Sequence, residues 1–163
     1  MDSFKSGQMV VYPGQGVGII EGHEQKEIVG QKQSFYILRI LDNDVQIMVP
    51  TNNTDRVGLR KLIDKKEIRK IFTILRTKSN GLDNSTWNRR YRDYLSRLKT
   101  GLLHDVAAVN RDLYHRSKEK ELSYGERKML ENAKSLLITE LLYVSERPEK
   151  DIEERIERAL EKA

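Results

Sequence analysis

The chain has 163 residues, 37% of them hydrophobic and 34% charged, with a formal net charge of +5. That length fits one medium domain or two small ones, and the composition is polar for a globular protein without being that of a disordered chain. With no cysteine there is no disulfide framework and no thiolate metal site. No apolar run is long enough to span a bilayer, and the opening MDSFKSGQMVVYPG lacks a signal-peptide layout, so a cytoplasmic protein is expected.

Residues 7–50 read as strands. Residues 8–12 form a short apolar run, which Pro13-Gly14-Gln15-Gly16 breaks as turn residues do. Residues 17–20 resume an extended, β-branched run. Residues 34–41 carry the strongest strand signal; Asp42-Asn43-Asp44 is a turn, and residues 45–50 follow as the hairpin partner. Four or five short strands with glycine-bearing turns predict a small, strongly bent antiparallel sheet or barrel.

From about residue 64 the hydrophobic period lengthens from two to about 3.6. Asp64 is placed to cap a helix with apolar positions Ile68, Ile71, Phe72 and Leu75. Residues 78–83 read as a loop between modules. The next helix carries Trp87, Tyr91, Tyr94, Leu95 and Leu98 after a cap region at Asn84-Ser85-Thr86. Another shows Leu102, Val106, Val109 and Leu113. Ser123-Tyr124-Gly125-Glu126 has the capping-box pattern and opens a helix with Leu130, Ala133, Leu137 and Leu141. Pro148 suits the first turn of a last helix with Ile152, Ile156 and Leu160. The expected class is α+β, a small β module followed by an all-helical domain. The expected division is residues 1–60 (β domain), 61–77 (connecting helix), 78–83 (loop) and 84–163 (helical domain).

Catalytic constellations are missing from the sequence. His23, His104 and His115 fall in three different elements, and no nucleophile elbow or cysteine nucleophile occurs. Gly14-Gln15-Gly16-Val17-Gly18 lacks phosphate-loop spacing and leads into a strand, so a turn that needs permissive backbone is the better reading. Neither a metal nor a cofactor is expected.

Charge is the informative feature. Residues 1–60 carry six Lys/Arg and seven Asp/Glu, residues 61–99 twelve and four, and residues 100–163 twelve and fourteen. The cationic block contains the single tryptophan. It reads either as a polyanion-binding segment or as a solvated helix face. Trp87 is equally two-sided. Its spacing to Tyr91, Tyr94 and Leu98 extends an apolar stripe and suits a core residue. Its place at a helix start, followed by Arg89, Arg90 and Arg92, suits an apolar wedge set among cations.

Several segments together resemble the CarD (CdnL) family of bacterial transcription regulators over nearly the whole chain. They are Gly7-Gln8-Met9-Val10-Val11-Tyr12-Pro13 with Gly16, Pro50, Val57-Gly58-Leu59-Arg60, Trp87-Asn88-Arg89-Arg90-Tyr91, Val109-Asn110-Arg111-Asp112-Leu113 and residues 122–130. The opening segment also resembles the polymerase-binding domain of the transcription–repair coupling factor. The resemblance implies a Tudor-like N-terminal domain bound to the RNA polymerase β subunit. It also implies a helical domain on promoter DNA at the upstream edge of the bubble, where a tryptophan wedges into the minor groove and stabilises the open complex. Trp87 matches that wedge, with Arg89, Arg90, Arg92, Arg127 and Lys128 as its cationic surroundings. On the polymerase side the expected residues are Lys26, Ile47, Met48, Val49 and Pro50; Met48 stands where some members carry arginine, which implies a more apolar contact.

The sequence therefore predicts a monomeric, non-enzymatic transcription regulator, associated with the nucleoid through polymerase and largely indifferent to DNA sequence. The rival reading is a helical protein-interaction module without direct DNA binding. Trp87 is expected to cap the stripe with one ring face packed and the other exposed, while Tyr91, Tyr94, Leu95 and Leu98 face the bundle.

Overall fold

Val10, Val17, Ile20, Leu38, Ile40 and Val49 are all buried. The strands that carry them form one five-stranded antiparallel sheet in the computed structural model, which describes residues 3–79 and 86–163. The strands are β1 (Met9–Tyr12), β2 (Gly16–Ile28), β3 (Gln31–Ile40), β4 (Gln46–Pro50) and β5 (Arg60–Lys61), in spatial order β4-β3-β2-β1-β5. A short helix, α1 (Thr54–Val57), links β4 to β5. Phe4 closes the core edge-on against Tyr36, with ring centroids 5.8 Å apart, and its backbone N–H donates to the Tyr36 hydroxyl at 3.2 Å.

Register explains which side chains are inside. Ile47 pairs with Leu38 and Val49 with Tyr36, so both point to the core. The turn residues behave as expected: Gly14 and Gly16 have φ of 81° and 97°, a conformation that only glycine adopts freely. The β2–β3 hairpin runs longer than its apolar signal, because residues 21–32 are almost all exposed and polar. It turns at Val29-Gly30 with φ of 51° and 77°. Two positive φ values are what a two-residue hairpin turn requires.

The helical residues form α2 (Lys65–Arg76), α3 (Trp87–Lys99), α4 (Leu103–Glu119), α5 (Tyr124–Ser145) and α6 (Glu149–Glu161). Their starts are chemically marked. The Asp64 side chain accepts from the Lys66 and Glu67 N–H groups, and Ser123 and Glu126 form a reciprocal capping box. Pro148 is the N-cap of α6, one residue before its first turn.

The chain divides into two units, residues 1–62 and 63–163. This differs from the expected organisation in one respect. Ile71 and Leu75 of α2 lie in the same buried cluster as Leu113, Leu137 and Ile156, so α2 belongs to the helical unit and is not a connector. Its apolar stripe needs a cover, and periodicity cannot say which helices supply one. Residues 80–83 of the expected loop, and Asn84 and Ser85 of the expected cap region, lie outside the described residues. Leu102 is exposed and its neighbour Leu103 is buried, a one-residue shift of the expected stripe.

Candidate nucleic-acid interface

The N-termini of α3 and α5 meet. Thr86 caps α3, its hydroxyl accepting from the Arg89 N–H at 3.4 Å, and the first turn of α3 contains no acidic residue. Trp87 is the first residue of that helix and is half-buried. A Cβ built on Gly125, in the first turn of α5, would lie 3.2 Å from the Trp87 Cζ2 atom and 3.6 Å from Cη2. The indole therefore rests its benzo edge on the bare backbone of α5. Only glycine permits that approach without displacement.

Arg90 lies against the ring and is itself engaged by Glu126. The Arg90 guanidinium lies 5.8 Å from the indole centroid and 3.9 Å from Glu126 Oε2. Arg116 of α4 donates its Nε–H to the same oxygen at 2.6 Å. The other oxygen of Glu126 accepts from the Ser123 N–H at 3.2 Å and from its hydroxyl at 3.1 Å. One carboxylate, 4% exposed, thus joins α3, α4 and α5. Burial works to raise its pKa, but the two Ser123 hydrogen bonds and the Arg116 charge outweigh burial and hold it below the ordinary glutamate value.

The expected site residues sort into two groups. Arg89 and Arg92 lie in the first two turns of α3 and Arg127 and Lys128 in the first two turns of α5, and all four cations are exposed. Lys128 also lies over the Tyr124 ring, 5.5 Å from its centroid. Arg90 is different: at 7% exposure and engaged with Glu126, it supports the ring and offers no charge to a polyanion. Tyr91 does not face the bundle. It is 41% exposed and meets Trp87 edge-on at 5.4 Å. Tyr94 and Leu98 are buried and Leu95 packs against the same core, as expected. Gly125 and Arg116 were not legible as site residues. The capping-box motif pointed to Glu126, but nothing in sequence showed that cations from two other helices converge on it.

In the β unit, β4 is a sheet edge, and none of its five residues is charged. Lys26 is exposed on β2, and Ile47, Met48 and Pro50 are half-buried. Val49 is 1% exposed; its side chain belongs to the core, and only its backbone can take part in an edge contact.

Gly125→Ala tests the packing directly. Alanine improves helix propensity by up to about 1 kcal/mol, but the indole must move by a few tenths of an ångström. The fold should survive with stability changed by no more than about 1 kcal/mol, while the single tryptophan's emission shifts to the red and quenches more readily. An unaltered spectrum would mean that the indole does not rest on Gly125.

The molecule is of the α+β class, a small antiparallel sheet module followed by a helical unit with a half-buried tryptophan where two helix starts meet. Among the described residues no group of three or more His, Cys, Asp or Glu could hold a metal, and no helix is long and apolar enough to cross a membrane. The comparisons with known proteins make the assignment specific. The family profile "CarD, C-terminal domain" matches residues 70–157, and "CarD-like/TRCF RID domain" matches residues 4–63. The candidate transcription factor YdeB of Bacillus subtilis (strain 168) is 36% identical over 150 residues, covering 91% of this chain and 97% of that protein. Two solved N-terminal domains from Myxococcus xanthus also match. CdnLNt is 54% identical, covering 40% of this chain and 92% of its own with a TM-score of 0.34. The 72-residue N-terminal domain of CarD is 35% identical, covering 37% and 84% with a TM-score of 0.32. The chain belongs to the CarD family; it is a transcription regulator and not an enzyme.

Proposed function

We propose that this regulator binds the β subunit of RNA polymerase through its sheet unit and promoter DNA through the starts of α3 and α5. Trp87 is the wedge that enters the minor groove at the upstream bubble edge and stabilises the open complex. The observation that carries this reading is the mounting of Trp87. A half-buried indole is backed by Gly125 and Arg90, and exposed Arg89, Arg92, Arg127 and Lys128 lie in the first turns of the same two helices, so the ring is packed on one side while part of it stays accessible. The cations and the two helix N-termini suit phosphates, and the indole suits a distorted base step. Base specificity is low because the minor groove carries a degenerate code. The uncharged β4 edge suits addition of a partner strand, since it lacks the charges that usually blunt free edges.

Trp87→Ala should leave polymerase binding intact and shorten open-complex lifetime about tenfold, because base–aromatic stacking is worth about 1–3 kcal/mol and 1.4 kcal/mol is a factor of about ten. Promoter-complex dissociation after a competitor challenge measures it. An unchanged lifetime in a folded variant removes the wedge, and a stability loss of several kcal/mol returns Trp87 to the core. DNA affinity should fall steeply with salt; negligible affinity even at low salt would instead favour a module that docks only protein.

A further inference from the structure

Seven cations line an open cavity of about 610 Å³ on the helical unit, and no carboxylate lines it. Helix α2 contributes Lys65, Arg69 and Arg76, and α6 contributes Arg155 and Arg158 with its C-cap residue Lys162. These spacings keep each set on one helix face. Arg147, between α5 and α6, adds the seventh; among the described residues it alone of the seven has a carboxylate partner, Asp151 at 3.1 Å. The floor is apolar, made by Ile68, Phe72 and Ala159, and the Arg155 guanidinium lies 5.4 Å from the Phe72 ring centroid.

This is not the DNA site extended. Gly125 touches Trp87 at the start of α5, while Ser145 lines the cavity at its end, about 30 Å away at 1.5 Å per residue. Convergent like charges repel unless an anion sits among them. Guanidinium forks match phosphate geometry. The volume falls within the range of small-molecule sites, and a concave bowl suits a compact anion better than the convex backbone of a duplex. Phe72 adds a ring on which a base can stack where the Arg155 guanidinium, 5.4 Å from its centroid, turns aside toward phosphate.

We propose that this cavity binds a nucleoside polyphosphate, its phosphates held by Arg69, Arg158 and Lys162 and its base against Phe72. Calorimetric titration of the full chain with ATP and with inorganic tripolyphosphate tests it. ATP should bind saturably, one per chain. Tripolyphosphate, which carries at least as much charge, should bind about tenfold more weakly because it cannot stack. The double variant Arg69→Gln/Arg158→Gln should weaken ATP binding at least about tenfold with an unchanged melting temperature, since both side chains are exposed. Lys128→Gln, at the other end of α5, should leave ATP binding unaltered. Non-saturating binding, or equal weakening by Lys128→Gln, overturns the site in favour of general charge attraction. Equal affinity for tripolyphosphate overturns the nucleoside assignment. Loss of DNA or polymerase affinity in the double variant, with ATP binding untouched, makes the cavity a macromolecular contact instead.

Discussion

Glu126→Gln should destabilise the helical unit by about 3 kcal/mol or more. Removing one partner of a buried ion pair typically costs about 3–5 kcal/mol, because the charges left behind are uncompensated. Here two are left, Arg116 at 2.6 Å and Arg90 at 3.9 Å. The glutamine oxygen can still accept from Ser123, so the helix cap largely survives and the loss reports on charge. For a unit of this size the change is about 10–20 °C in melting temperature, read by circular dichroism. A variant that also carries Arg116→Gln should recover part of the loss, since neighbours in one network are not additive. A shift of under about 1 kcal/mol would mean that the network does not hold the three helices together.

The same residue sets an acid limit. Its folded pKa lies below the ordinary value of 4.5. A depressed carboxylate contributes stability that is present above the unfolded value and lost as pH falls through the folded one. The protein should therefore weaken from about pH 4.5 downward, and Glu126→Gln should show a smaller slope in that window. Function should follow stability. On the proposed function, with Arg90 no longer anchored by Glu126, the variant at a temperature where it is still folded should hold open complexes less well, although every side chain proposed to face DNA is unchanged.

How much of this was legible in sequence depended on the range of the physics involved. Periodicity and turn chemistry are local, and they located β1, β3, β4 and all five long helices. Strand β5, of two residues, carries no alternation to detect. The cationic block was visible as a sum, but its destination was not. Its twelve Lys/Arg divide among β5, which takes Lys61, α2 with its flanks, and α3. In α3, Arg90 is buried, and Arg97 is paired with Asp93 and Asp112. The face of α3 was misjudged for a related reason. Tyr91 and Arg90 flank the apolar stripe on either side. At the start of the helix Arg90 turns inward because Glu126 supplies its counter-charge from α5, and Tyr91 turns outward. Val49 shows the limit of reading a strand as a contact segment, because side chains alternate between faces and only the register with β3 says which face is core.

Gly18→Ala should cost the sheet unit about 2–3 kcal/mol and lower its melting transition without affecting the helical unit. Gly18 lies in β2 between Val10 of β1 and Ile40 of β3. An added Cβ would lie 2.7 Å from Leu38 Cδ1 and 2.9 Å from the Arg39 carbonyl oxygen. The first contact could be relieved by rotating Leu38, but Leu38 is fully buried in the core. The second is backbone, so the strands themselves must part. Overpacking of this kind costs about 1–3 kcal/mol. A unit of this length has a reserve of only about 3–9 kcal/mol. Gly14 provides the contrast. Nothing lies within 4 Å of a Cβ there, and its demand is a φ of 81°. Gly14→Ala should cost about 1–2 kcal/mol through backbone strain alone. In sequence Gly14 reads as a turn residue and Gly18 as part of the extended run that follows, but of the two only Gly18 is required by the packing of the sheet. On the proposed function, Gly18→Ala should weaken polymerase binding as the sheet unit unfolds while salt-dependent DNA affinity persists. Hydrogen exchange at β2 and β3, measured beside DNA titrations, separates the two. Equal loss of both activities would show that the DNA face depends on an intact sheet.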